Sequence, residues 1–369
     1  MSRSLTENLR SLDLPEDVGR IIFELIAELD KETGRSCALV SKRVNAWVEP
    51  ILYRTLLIDH KALLENLCGI FEDINHGKSA KSSDFFASHV KALIITSDYL
   101  QDATNILSIL KACHNVELLT LWTNPREGDS VRPHGRDLRD LRDFMASSGL
   151  SPRWISVTSR IFSIYDHEVD FSYPIFQNAT HLELVWEEGD SGPDQVCWDT
   201  LRHLPCLTHF SVYWSFYSIE ECSRWAREAV GLCPLSLRVF VLWVPSACYD
   251  FNETSEEYGA LMAIQDGTVD SRAVLAYVGE SSLTLYDLHP ILRSYRDVLG
   301  DWAGVPVGKD FWTLAEELIE ERHRRRETQN TLKHFMNDVT DPERSCTQVE
   351  LDLAMEWYLG ARDSIDEYV

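Results

Sequence analysis

Two short stretches, ATHLEL at 179–184 and LTHFSV at 207–212, each carry a histidine at the third position, in the same register of one repeated spacing. If both are strands sharing one register in a parallel sheet, His181 and His209 stand about 4.8 Å apart on adjacent strands. Glu183 follows two residues on along the same face. Two imidazoles and a carboxylate are ligand types for a divalent metal, but three such donors on one sheet face are a sparse signature, and no metal is expected. The expectation is instead a polar patch. Neighbouring imidazoles disfavour double protonation and Glu183 favours one proton, so binding at this patch is expected to change between about pH 5 and 8. Other chemistry is missing. HGKSAKS at 76–82 is similar to a phosphate loop, yet Glu72 stands where that loop needs glycine. Neither H-E-x-x-H nor G-x-S-x-G occurs. A serine, histidine and acid gathered from distant positions cannot be read from one sequence. No catalytic residue or cofactor is assigned, and the chain is expected not to be an enzyme.

The elements that must position these residues share the spacing "apolar, two others, apolar, one other, apolar". It occurs in VKALII from Val90, VELLTL from Val116, ATHLEL from Ala179, LTHFSV from Leu207 and LRVFVL from Leu237. YRTLLI from Tyr53 and PRWISV from Pro152 are weaker members. Most of these starts lie about 26 to 30 residues apart, and helical spacing fills the gaps. One long interval carries NPREGDSVRPHGRD, read as an inserted loop. The alternation predicts a parallel sheet backed by helices, with Leu93, Leu119, Leu182, Phe210 and Phe240 lined up on its buried side. The residues between them point to the other face. That face would hold Trp122, Trp154, His181, Glu183, His209, Tyr213 and Trp243, rich in types favoured at binding hot spots, and these are the expected substrate-binding residues. The alternative is that C-terminal helices fold back over the face and make it core.

This pattern resembles leucine-rich repeats, one strand and one helix per stacked unit, in a degenerate form without the usual asparagine after the third apolar position. The resemblance implies an α/β solenoid over residues 59–280, with RAVLAYV from Arg272 as a possible last strand. Residues 281–369 read as a helical C-terminal cap, from DFWTLAEELIEERHRRRETQNTLKHFM and TQVELDLAMEWYLGARDSIDEYV. The basic run Arg322 to Arg326 follows glutamates at 316, 317, 320 and 321 and reads as a solvated helix face.

Ahead of the repeats, LPEDVGRIIFELI (14–26) places Val18, Ile21, Ile22, Leu25, Ile26 and Leu29 on one helical face. CALVSKRVNAWVEPILYRTL (37–56) repeats that spacing at Cys37, Val40, Val44, Trp47 and Val48 until Pro50 stops one helix or starts the next. Three helices in so short a stretch have little core, and units of that size usually need a partner. The two segments together resemble an F-box as found in fungal F-box-like proteins, over residues 12–58. Leu14, Pro15, Ile22, Leu25, Leu39, Val40 and Arg43 match the family pattern, and Val44 stands where tryptophan is common. The resemblance implies that these residues dock on a Skp-type adaptor and, through it, on a cullin. The chain would then be the receptor that brings a protein substrate to a ubiquitin ligase. The alternative is a repeat scaffold with no link to ubiquitin, its first helices merely capping the stack.

Composition sets the surroundings. With 59 acidic against 35 basic residues, a formal charge of −24 argues against nucleic acid as partner. Nine scattered cysteines without C-x-x-C suit a reducing compartment. MSRSLTENLR lacks the apolar core of a signal peptide, and no run of about 18 apolar residues occurs. The expectation is a chain of the cytoplasm or nucleus with no membrane partner.

Overall fold

The computed structural model describes residues 15–96, 103–122, 135–147, 149–162, 169–186, 196–214, 219–244, 256–279, 290–306 and 308–340. Three helices come first: α1 (Glu16–Leu29), α2 (Lys31–Ala38) and α3 (Lys42–Leu52). Local chemistry fixes their ends. Asp30 caps α2 by accepting from the backbone N–H groups of Glu32 and Thr33, and Ser41 caps α3 by accepting from Val44 N–H at 3.1 Å. Pro15 is the N-cap of α1. Pro50 neither stops nor starts a helix; it lies in the last turn of α3, where few following residues depend on the lost hydrogen bond. The three helices enclose a small core of Ala27, Cys37, Val44 and Val48, with Phe23, Ile26, Trp47, Ile51 and Leu52 packed around it.

The rest is α/β, a nine-stranded parallel sheet in chain order backed by helices. By contact density the chain forms two units, the first of residues 1–207, 234–236 and 299–306, the second of residues 208–233, 237–298 and 307–369. In the first unit β1 (Thr55–Ile58), β2 (Ala92–Ile95), β3 (Leu118–Leu121), β4 (Trp154–Thr158) and β5 (His181–Trp186) pair in order, all parallel. Helices α4 (Lys61–Asn75), α5 (Phe85–His89), α6 (Ala103–Ala112), α7 (Gly135–Ser147) and the single turn α8 (Trp198–Leu201) occupy the connections. Leu93, Leu119, Ile155 and Leu182 are register partners, and none is exposed. The weaker repeat PRWISV thus belongs to the ladder.

In the second unit β6 (His209–Trp214), β7 (Val239–Val244), β8 (Ala273–Val278) and β9 (Ile291–Arg293) are likewise parallel, with Phe210 opposite Phe240 and Phe240 opposite Ala273. Helices α9 (Ile219–Leu232), α10 (Glu256–Gln265) and α12 (Phe311–Thr340) accompany them; the short α11 (Tyr295–Trp302) precedes α12, and its last four residues belong to the first unit. Two expected boundaries are crossed. The sheet begins with β1, inside the stretch read as the adaptor-binding unit, and β9 lies inside the stretch read as an all-helical cap. Most of NPREGDSVRPHGRD and all of TQVELDLAMEWYLGARDSIDEYV lie outside the described residues.

The α1–α2 crossing rests on one small residue. A Cβ on Gly34 would stand 2.9 Å from Ala27 Cα, a backbone atom that cannot swing away, whereas a Cβ on Gly19 in α1 would meet nothing within 4 Å. Gly34→Ala should therefore destabilise the three-helix unit by about 1–3 kcal/mol through overpacking. Gly19→Ala should stabilise it by about 1 kcal/mol through helix propensity. Amide hydrogen exchange of residues 16–52 in the full chain measures both, and equal signs would refute this account of the crossing.

Candidate interaction surfaces

The first surface belongs to the N-terminal helices. Because Phe23, Ile26 and Ala27 turn inward, the stripe Val18, Ile21, Ile22, Leu25 and Leu29 faces outward, with Leu29 78% exposed. Leu39, 88% exposed, and Val40 continue the apolar character where α2 gives way to α3. Pro15 is exposed as well. Arg43 stays more than half exposed while it pairs with Glu16 and lies 5.5 Å over the Trp47 ring. Val44 departs from expectation: it is buried in the core of the three helices and offers no docking surface. Leu14 lies outside the described residues.

The second surface is the sheet face expected to be open. In the first unit Trp154 stacks on His181, ring centroids 4.0 Å apart and 21° between planes, and meets the edge of Trp302 at 6.0 Å. The His181 Nδ1 is 2.9 Å from Thr180 Oγ1. Behind this pair runs a polar row in one register: Thr120, Ser156 and Glu183. Trp122 Nε1 donates to Ser156 Oγ at 2.6 Å, and that hydroxyl donates to Glu183 Oε2 at 2.5 Å. Glu183 is buried and takes no part in an open face, and the buried Thr120 hydroxyl has no hydrogen-bond partner. Trp122, Trp154 and His181 remain partly accessible.

In the second unit the face is covered. Phe311, the first residue of α12, packs its ring against Trp243 at 5.1 Å, and Trp312 meets His209 at 5.4 Å. Trp243 and His209 are buried in consequence, which corrects their expected place on a binding face; Tyr213 is half-buried. His209 Nε2 lies 3.2 Å from Glu316 Oε1, and Arg238 reaches the same oxygen at 3.0 Å. Burial pushes the His209 pKa below its ordinary value; the Glu316 carboxylate pulls it up, Arg238 pushes it further down and Asp310 opposes. Each histidine has partners within its own unit. Among the described residues no group of His, Cys, Asp and Glu is arranged to hold a metal.

The basic run also differs from a solvated face. Arg322 donates to the carbonyls of Ala273 at 2.8 Å and Ile264 at 3.4 Å, and Arg326 donates to Asp266 at 2.6 Å. The Ile264 and Asp266 carbonyls lie at the end of α10, a position where cations are favoured, and the Ala273 carbonyl opens β8. Burial brings the Arg322 pKa down to about 10. Arg324 and Arg325 do pair with Glu321, as expected.

Comparison with family models, curated proteins and solved structures finds no match. The residues themselves must carry the argument. Sequence reading missed Phe311, Trp312 and Glu316 as partners of the sheet. A signal was present: VFVLWV and AVLAYV are unbroken apolar runs, the mark of parallel strands covered on both faces. It also placed Ile21 and Leu29 on the right stripe without assigning them to a partner.

A histidine held below its unfolded value binds fewer protons folded than unfolded, so stability is lost as pH falls below about 6.5. The urea midpoint should drop between pH 7.5 and 5.0, and His209→Gln should make that drop smaller. Identical drops in the two chains would remove His209 as a source of acid sensitivity.

Proposed function

We propose that the chain is a substrate-recruiting, F-box-like subunit of a cullin-RING ubiquitin ligase, non-catalytic itself. In this reading its N-terminal helices dock on a Skp-type adaptor, and a degenerate leucine-rich-repeat-like solenoid presents a protein substrate. The observation that carries it is the outward apolar stripe. A three-helix unit that already encloses its own core nevertheless keeps Ile21, Ile22, Leu25, Leu29, Leu39 and Val40 in solvent, and contiguous exposed apolar surface marks interaction sites. Docking on an adaptor's helices would bury these side chains. Substrate contacts fall to the accessible aromatic side chains, the Trp154–His181 stack with Trp122, and Tyr213. Recruitment accelerates transfer by raising the substrate's local concentration near a ubiquitin-loaded enzyme, so no bond-making group is required.

The sequence-level alternative, a repeat scaffold without ubiquitin, is separated from this reading by adaptor binding alone. Ile22→Glu with Leu25→Glu, tested in the full chain co-expressed with a Skp-type adaptor, should weaken the complex by about thirtyfold or more if these are hot-spot contacts. Because both side chains are already in solvent, the unfolding midpoint should stay within about 0.5 kcal/mol of the parent. A wild-type chain that never captures the adaptor would overturn the ligase reading and leave the scaffold.

A further inference from the structure

The N-terminal bundle has its own core, so something other than that core must fix it to the sheet. The chain passes from α3 to β1 through Leu52, Tyr53 and Arg54. The Tyr53 ring meets Phe85 at 5.3 Å and Phe86 at 5.4 Å, both edge-on, and Phe86 in turn packs edge-on against Phe71 of α4. Over this corner lies one cation. Lys81 Nζ is 4.7 Å from the Tyr53 ring centre and 4.1 Å from that of Phe85, and it is paired with the Glu49 carboxylate of α3. Lys81 thus touches the bundle through Glu49, the connection through Tyr53 and the sheet side through Phe85.

Other ties across the joint are looser. Arg54 and Glu28 are 3.8 Å apart with side chains 64% and 52% exposed, against 18% and 29% for Lys81 and Glu49. Lys31 reaches the Thr55 carbonyl only at 3.4 Å. Lys81 is also delivered by a defined turn. Gly77, at φ 67°, ends α4 while Lys78 N–H bonds back to Asp73 O and Gly77 N–H to Ile74 O, the paired closure of a glycine C-cap. Ser79 Oγ then accepts from Lys81 N–H at 3.2 Å. A cation partly withdrawn from water between aromatic rings and a carboxylate interacts more strongly than an exposed ion pair.

We propose that Lys81 is a latch that fixes the N-terminal bundle on the sheet, and that removing its charge frees the bundle to pivot about residues 52–54. The latch is independent of what the bundle docks on. Its function is to hold the short connection in a set direction, so that the outward stripe of α1 keeps one orientation relative to the first strands.

Hydrogen exchange on the full-length chain tests this, with Lys81→Gln, Lys81→Arg and Glu49→Gln beside the parent. In Lys81→Gln and Glu49→Gln, amides of residues 53–58 and 85–90 should exchange about tenfold faster or more, as in local opening, while those of Val44 to Val48 keep their protection. Lys81→Arg keeps the charge and should stay within about twofold of the parent. Unchanged exchange in both glutamine variants would overturn the latch. So would equal loss of protection at Val44 to Val48, because Lys81 would then belong to the folding of the bundle rather than to its attachment.

Discussion

A parallel strand has two faces, and in all-parallel sheets both are usually covered. Its crossover connection places a helix on one face, and nothing in the repeat itself covers the other. The architecture of this chain follows from how that second face is closed. In β7 every residue is buried, which requires a layer on each side, and α12 supplies the second layer through Phe311 on Trp243, while Trp312 covers His209 of β6. In the first unit Trp302 meets Trp154 from outside the repeats. Side chains that alternation assigns to an exposed surface become the contacts of a second core.

That constraint separates what could be read from the residues and what could not. Register was legible, because Leu93, Leu119, Leu182, Phe210 and Phe240 stand at one position of a repeated spacing, and period-two geometry leaves them a single face. The fate of the opposite face was not. His209 and Trp243 have the composition of a binding surface, and only a segment some seventy to a hundred residues further along decides that they are covered. A tertiary partner with no local signature is the kind of information that periodicity lacks. The same holds for Arg322, which has the sequence context of a solvated charge and the structural role of bonding the carbonyls where α10 ends and β8 begins.

The N-terminal bundle shows the opposite case. Its helix lengths and outward stripe follow the i, i+3, i+4 pattern closely, yet the pattern alone does not say which of two apolar faces turns inward. Gly34 decides it, since only a residue without a side chain allows α2 to approach α1 at Ala27. With Ala27 inward, Leu25 and Leu29 must lie outward. Val44 goes inward by the same geometry, and a docking role suggested by position in a motif is replaced by a packing role.

The placement of α12 also has a consequence in time. Strands β6 to β8 are complete once residue 278 has left the ribosome, but the aromatic side chains that cover β6 and β7 arrive only with residues 311 and 312. At roughly 5–20 residues per second of synthesis, the outer face of β7 and β8 stays bare for roughly two to seven seconds. During that interval the nascent sheet offers a wide apolar surface and an unpaired parallel edge, the two features most readily captured by a chaperone or by another unfinished chain. A chain ended before α12 would keep that surface bare, so the cover of these strands is encoded outside them.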